Sequence, residues 1–159
     1  MKTPVVIYNQ RGTAVETAII FMLLMMLLFG IIEFGLLLLD KHILTNASRE
    51  GARAGIVVGL DRSQASAFDG MTEENIPDSW YQKLAKNEAL DFCAAYLVSL
   101  GTSSSPPNVS VSLDDVDGNG IDRGDILTVS LTYSYKFLIP SVFGLEQLQL
   151  DAVSTMQLE

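Results

Sequence analysis

From Thr17 to Leu39 the chain is one apolar block, interrupted only by Gly30, Glu33 and Gly35. As a helix it rises about 35 Å, enough to cross a hydrocarbon core of roughly 30 Å with some tilt. A removable secretory signal has a shorter apolar run, about 7–15 residues, followed by a small-residue cleavage site. This block is longer and leads into Asp40-Lys41-His42. The expectation is a single-pass anchor in contact with membrane lipid. Residues 1–16 form a cytoplasmic tail, 17–39 the transmembrane helix and 40–159 one extracytoplasmic globular domain, too short to be two.

Charge sets the partners of that domain. The formal net charge is −9, and all of it falls beyond residue 39, because Lys2 and Arg11 cancel Glu16 and Glu33 before it. Nothing basic is available to collect phosphates, so nucleic acid is not an expected partner. Lys2 and Arg11 before the block face Lys41, Arg49 and Arg53 after it, a balance that does not orient the span by itself. A short tail opposite a large acidic domain favours an inside N-terminus. Cys93 is the single cysteine and His42 the single histidine. An internal disulfide, a Cys/His zinc site and a triad using several histidines are therefore out of reach, and no enzymatic activity is expected.

Patterning beyond the block indicates an α+β fold. No proline occurs between Asp40 and Val58, which predicts one long helix from about Ala14 to Val58. Along it Ala47, Gly51, Gly55 and Gly59 recur every four residues and form one smooth strip. The strip reads as a groove for a neighbouring subunit or for the chain's own domain; the plain alternative is helix weakness of about 1 kcal/mol per glycine. A connection follows over Leu60 to Ser79. A second helix is expected from about Trp80 to Leu100, capped by Asp78 or Ser79 and stopped by Gly101. Its apolar stripe includes Cys93, which reads as a small buried hydrophobe.

After Thr102 to Pro107 the period changes to two. Val109, Val111 and Leu113 share one side; so do Leu127, Val129, Leu131, Tyr133, Tyr135 and Phe137; so do Leu148, Leu150, Ala152, Ser154, Met156 and Leu158. These are three strands with one buried face in an antiparallel meander, the last two joined through Pro140 to Gly144 and the apolar side covered by helix.

Three stretches carry a family resemblance: Arg11-Gly12-Thr13-Ala14-Val15-Glu16, then Phe29-Gly30-Ile31-Ile32-Glu33-Phe34-Gly35, then Leu44-Thr45-Asn46-Ala47-Ser48-Arg49-Glu50-Gly51-Ala52-Arg53. They resemble the opening of the TadE-like family, and Gly124-Asp125 through Tyr133, Tyr135, Ala152 and Met156 to Glu159 is similar to its ending. The resemblance implies a minor pilin or pseudopilin of the tight-adherence (Tad, or Flp) pilus, held in the bacterial inner membrane. Its partners would be other pilins, the Tad assembly machinery and a prepilin peptidase cutting after Gly12, with Thr13 as the new N-terminus. Glu16 is fourth after that glycine, where the family glutamate is commonly fifth, a difference of about 100° and 1.5 Å on a helix.

Glu16 and Glu33 are the expected assembly carboxylates, together with the Ala47, Gly51 and Gly55 strip. Glu16 at the mouth of the span either pairs with the free amine of an adjacent subunit or is simply a hydrated residue near a helix N-terminus. Glu33 lies deeper and has three readings: a cation on a neighbouring helix, protonation, or reach to the interface. The loop from Asp115 to Asp125 places Asp115, Asp117, Asn119, Asp122 and Asp125 as oxygen donors. This resembles half of a calcium loop. Position twelve is Ile126 instead of a bidentate acid, so calcium competes with a plain acidic connection. Two alternative functions are a membrane-tethered ligand- or calcium-binding domain outside any filament and a type II secretion pseudopilin.

Overall fold

The computed structural model describes residues 10–57, 78–98, 105–118, 124–137 and 147–158. It is an α+β arrangement in the order α1 (Gln10–Val57), α2 (Asp78–Tyr96), β1 (Asn108–Asp114), β2 (Ile126–Lys136) and β3 (Gln147–Gln157). The strands form an antiparallel sheet in the order β1-β2-β3, with Val111 opposite Val129 and Leu131 opposite Ala152. This is the expected meander. The Pro140 to Gly144 connection and Gly59 lie outside the described residues.

Period-two alternation decides which face is covered. Val109, Leu127, Val129, Leu131, Tyr133, Tyr135, Leu150 and Ala152 are buried on one side. On the other, Ser110, Ser112 and Ser134 are exposed, and Thr128, Ser130 and Thr132 are half-buried. Each fully buried leucine or valine stabilises the fold by about 1.5–3 kcal/mol, so the face needs a cover. The cover is a pair of helices, α1 over β2 and β3 and α2 over β1.

The two helices are antiparallel and in close contact. Gly51 lies against Ala85 and Ala89, Gly55 against Ala85 and Tyr81, and Asp40 against Val98. A Cβ built on Gly51 would stand 2.7 Å from the Ala85 carbonyl oxygen, so only glycine admits this approach. β2 also descends along α1, from Leu127 beside Gly55 to Tyr135 beside Glu33. That is about 33 Å of helix against about 26 Å of strand, the remainder being within reach of the tyrosine side chain. Packing on α1 therefore begins at Glu33, below the Asp40 boundary expected from the sequence.

α2 ends at Tyr96 instead of Leu100. Leu97 N–H still reaches the Cys93 carbonyl at 2.9 Å, but Val98 N–H turns to the Asp40 carboxylate at 3.3 Å. Cys93 is buried as expected, and burial pushes its thiol up to about 11, which leaves it unreactive.

Candidate functional site

The lower part of α1 is apolar on every side and almost bare. Of the most apolar eighteen-residue window only 6% is buried, and the helix is long and apolar enough to cross a membrane. The core helix of a water-soluble domain would be covered instead. Ile20, Met22 and Leu23 are all more than 60% exposed. The segment fits a single-pass membrane anchor. Gly12 and Glu16 are both exposed at its start.

Toward the outer end of the expected span and beyond it, the structure places two of the expected contacts inside the chain. Glu33 is only 3% exposed, and its Oε1 accepts a 2.7 Å hydrogen bond from the Tyr135 hydroxyl. This donor comes from the chain's own sheet, a contact that none of the three readings left open for Glu33 included. Of the two occupants expected for the Ala47, Gly51 and Gly55 strip, the chain's own domain is the one present. All three positions are buried, and α2 with Leu127 fills the strip. Its occupant is the chain's own domain, which leaves no opening for another subunit there.

Two residues of this interface were not singled out from the sequence. Tyr135 had been placed on an apolar strand face and in the stretch similar to the family's ending, with no partner named. A buried phenol needs a hydrogen-bond partner, and the only early sign was a tyrosine at the membrane-proximal end of a covered strand. Burial and the neighbouring Glu33 both push its hydroxyl above its usual range. Asp40 is seven residues after Glu33, hence on the same helix face. It is fully buried, and its Oδ2 has no hydrogen-bond partner among the described residues.

Burial raises the Asp40 pKa above 3.8, with the Val98 amide opposing the shift. The folded chain thus keeps a proton that the unfolded chain has released, so stability falls as pH rises from about 3.8 through the raised folded value. The cost is fully present above that value. In Asp40→Asn this part of the fall should vanish, because the amide oxygen still accepts from Val98 and no charge is buried. Urea unfolding of the detergent-solubilised chain from about pH 4 to pH 7 checks it, and parallel curves for both proteins would refute it.

At the opposite end of the domain, donor oxygens of Asp115, Asp117 and Asp125 all lie within 4.8 Å of one another. Asp115 accepts from Gly118 N–H at 2.6 Å, in a turn where Gly118 has φ +77° and a side chain would be strained. Buried Asp125 accepts from Val116 N–H at 2.9 Å. Carboxylate oxygens suit a hard cation, but these are three protein groups where calcium takes six to eight ligands. Asn119 and Asp122 lie outside the described residues.

Comparison with curated proteins gives no match, and neither does comparison with solved structures. The family model described as TadE-like protein matches residues 12–53, from the position before the membrane-length span to the glycine strip, and over that segment the chain is similar to that family.

Proposed function

We propose that this chain is a minor pilin or pseudopilin-like subunit for assembly of Tad (Flp) pili. It is anchored in the bacterial inner membrane with its C-terminal domain extracytoplasmic, and it catalyses no reaction. The observation that carries this reading is the TadE-like match over residues 12–53, which takes in Gly12, Glu16 and the whole apolar span. The fold supports it physically. A bare apolar helix offers lateral contact to neighbouring spans, while the upper half of α1 holds the head rigidly on top. In this mechanism Glu16 meets the free amine that cleavage after Gly12 creates at Thr13 on an adjacent subunit, and the pairing offsets the desolvation that hydrocarbon imposes.

The expected result is a mature protein lighter by residues 1–12 when the chain is produced with a prepilin peptidase, and full-length in Gly12→Leu. Intact-mass measurement reads both. An uncut wild-type chain would favour the second reading, a tethered calcium-binding domain outside any filament. The clustered carboxylates of Asp115, Asp117 and Asp125 are the observation behind that alternative.

A further inference from the structure

α1 has a second surface, on the side turned away from the sheet. Above the Glu33 level, Leu38, Leu39, His42, Asn46, Arg49 and Arg53 are all exposed and recur at three- and four-residue steps along one helix face. The one acidic residue bordering these positions is half-buried Glu50, four residues after Asn46 and three before Arg53. The face is apolar at its lower end and cationic at its upper end, on a chain whose formal charge is −9.

Height decides what can meet this face. Counted from Leu39, the end of the expected span, Arg49 is about 15 Å and Arg53 about 21 Å up an upright helix, beyond a headgroup layer of roughly 5–8 Å on each side of the hydrocarbon. The complementary charge is on the chain itself. Asp114, Asp115 and Asp117 are exposed at the end of β1. Asp114 is opposite Ile126, the residue before Leu127, and Leu127 touches Gly55. This acidic end therefore stands within about a helical turn of the height of Arg53, but on the sheet side of the molecule. Within one chain the two surfaces face apart. Between two chains anchored at the same depth they are level.

We propose that the bare face of α1 above the membrane docks a second copy of this chain, with the acidic β1–β2 end of one copy against Arg49 and Arg53 of the next. The contact is head-to-tail: each copy uses a different surface, so it propagates instead of closing on itself as a two-fold pair would. Charges at the upper end steer the approach and fix the register, and Leu38 and Leu39 continue the face downward into the top of the span. The proposal rests on the single-pass anchor and deepens the assembly reading by naming the contact surface.

The test uses the full chain reconstituted in phosphatidylcholine vesicles, which removes anionic lipid as a competitor. In the R53K variant a zero-length carbodiimide should join position 53 to a carboxylate at 114, 115 or 117. Mixing light and isotope-labelled copies should show that the link is between chains. The R49E/R53E pair should weaken association of donor- and acceptor-labelled copies, read as energy transfer in the same vesicles, about tenfold with unchanged thermal unfolding, and adding D114K/D117K should restore it. Raising salt to about 0.5 M should weaken association of the parent protein.

Links confined to one chain would overturn the proposal, as would a dimer indifferent to R49E/R53E, or one joined only through the spans. Because no pilus machinery is present, loss of this contact leaves cleavage after Gly12 untouched. Absence of cleavage likewise leaves the charge swap readable.

Discussion

Gly51→Val should separate α2 from α1 and unfold the head. A Cβ at this position meets the Ala85 carbonyl oxygen at 2.7 Å and the Ala89 Cβ at 2.9 Å. The first is backbone on a packed helix and cannot rotate away. Overpacking of this kind costs about 1–3 kcal/mol for the first added carbon, against a helix-propensity gain of about 1 kcal/mol for Gly51→Ala. Valine adds two more methyls and has poorer helix propensity than alanine, so its net cost should exceed about 3 kcal/mol, a large share of a small domain's stability. Gly55→Ala is the control. Its nearest neighbour is the Leu127 Cδ2, the end of a side chain and not backbone, with the Ala85 Cβ at 3.2 Å, so its cost should be smaller than that of Gly51→Ala. Trp80 is the single tryptophan and belongs to α2, and its fluorescence during denaturation can follow all three variants. Gly55→Ala proving worse than Gly51→Ala would show that the helix contact is not what these glycines serve.

The second large effect is expected at Tyr135. Tyr135→Phe removes a donor from a carboxylate that is 3% exposed, at the lowest point of contact between helix and sheet. Hydrogen bonds to charged groups contribute about 1.5–3 kcal/mol, and a buried acceptor deprived of its donor also carries its desolvation cost. We expect a loss of about 2–3 kcal/mol in urea unfolding. The double variant Glu33→Leu/Tyr135→Phe should recover most of it, since both polar partners are then replaced by apolar groups. A Tyr135→Phe protein as stable as the parent would mean that the bond holds nothing together.

Much of the fold was legible because it rests on local period. Leu127 to Tyr135 alternate in sequence as they alternate in burial, and the apolar block announces a helix by length alone. The strip at Ala47, Gly51 and Gly55 was legible as a place of close approach, yet its occupant was not. Spacing fixes the shape of one surface and carries nothing about α2, which supplies the complementary alanines. The contact of Glu33 with Tyr135 was not legible for a related reason: the two are 102 residues apart in sequence, and nothing local in the apolar run points to β2. The end of α2 was set four residues late because Gly101 is a local stop signal, whereas Asp40 takes Val98 through a contact between distant segments. Tertiary hydrogen bonds override local signals at these sites, which are also the places where buried polar groups gather.

One uninterrupted helix, Gln10–Val57, serves both as the span and as a wall of the head's core. With Tyr135, Leu44 and α2 all gripping the same rod, there is no swivel between lipid and head. A turn of the buried rod about its own axis must swing the acidic tip through the same angle, roughly 100° for each residue of shift. A one-residue insertion near Leu24 would therefore re-aim the entire outer surface without altering a single contact inside it.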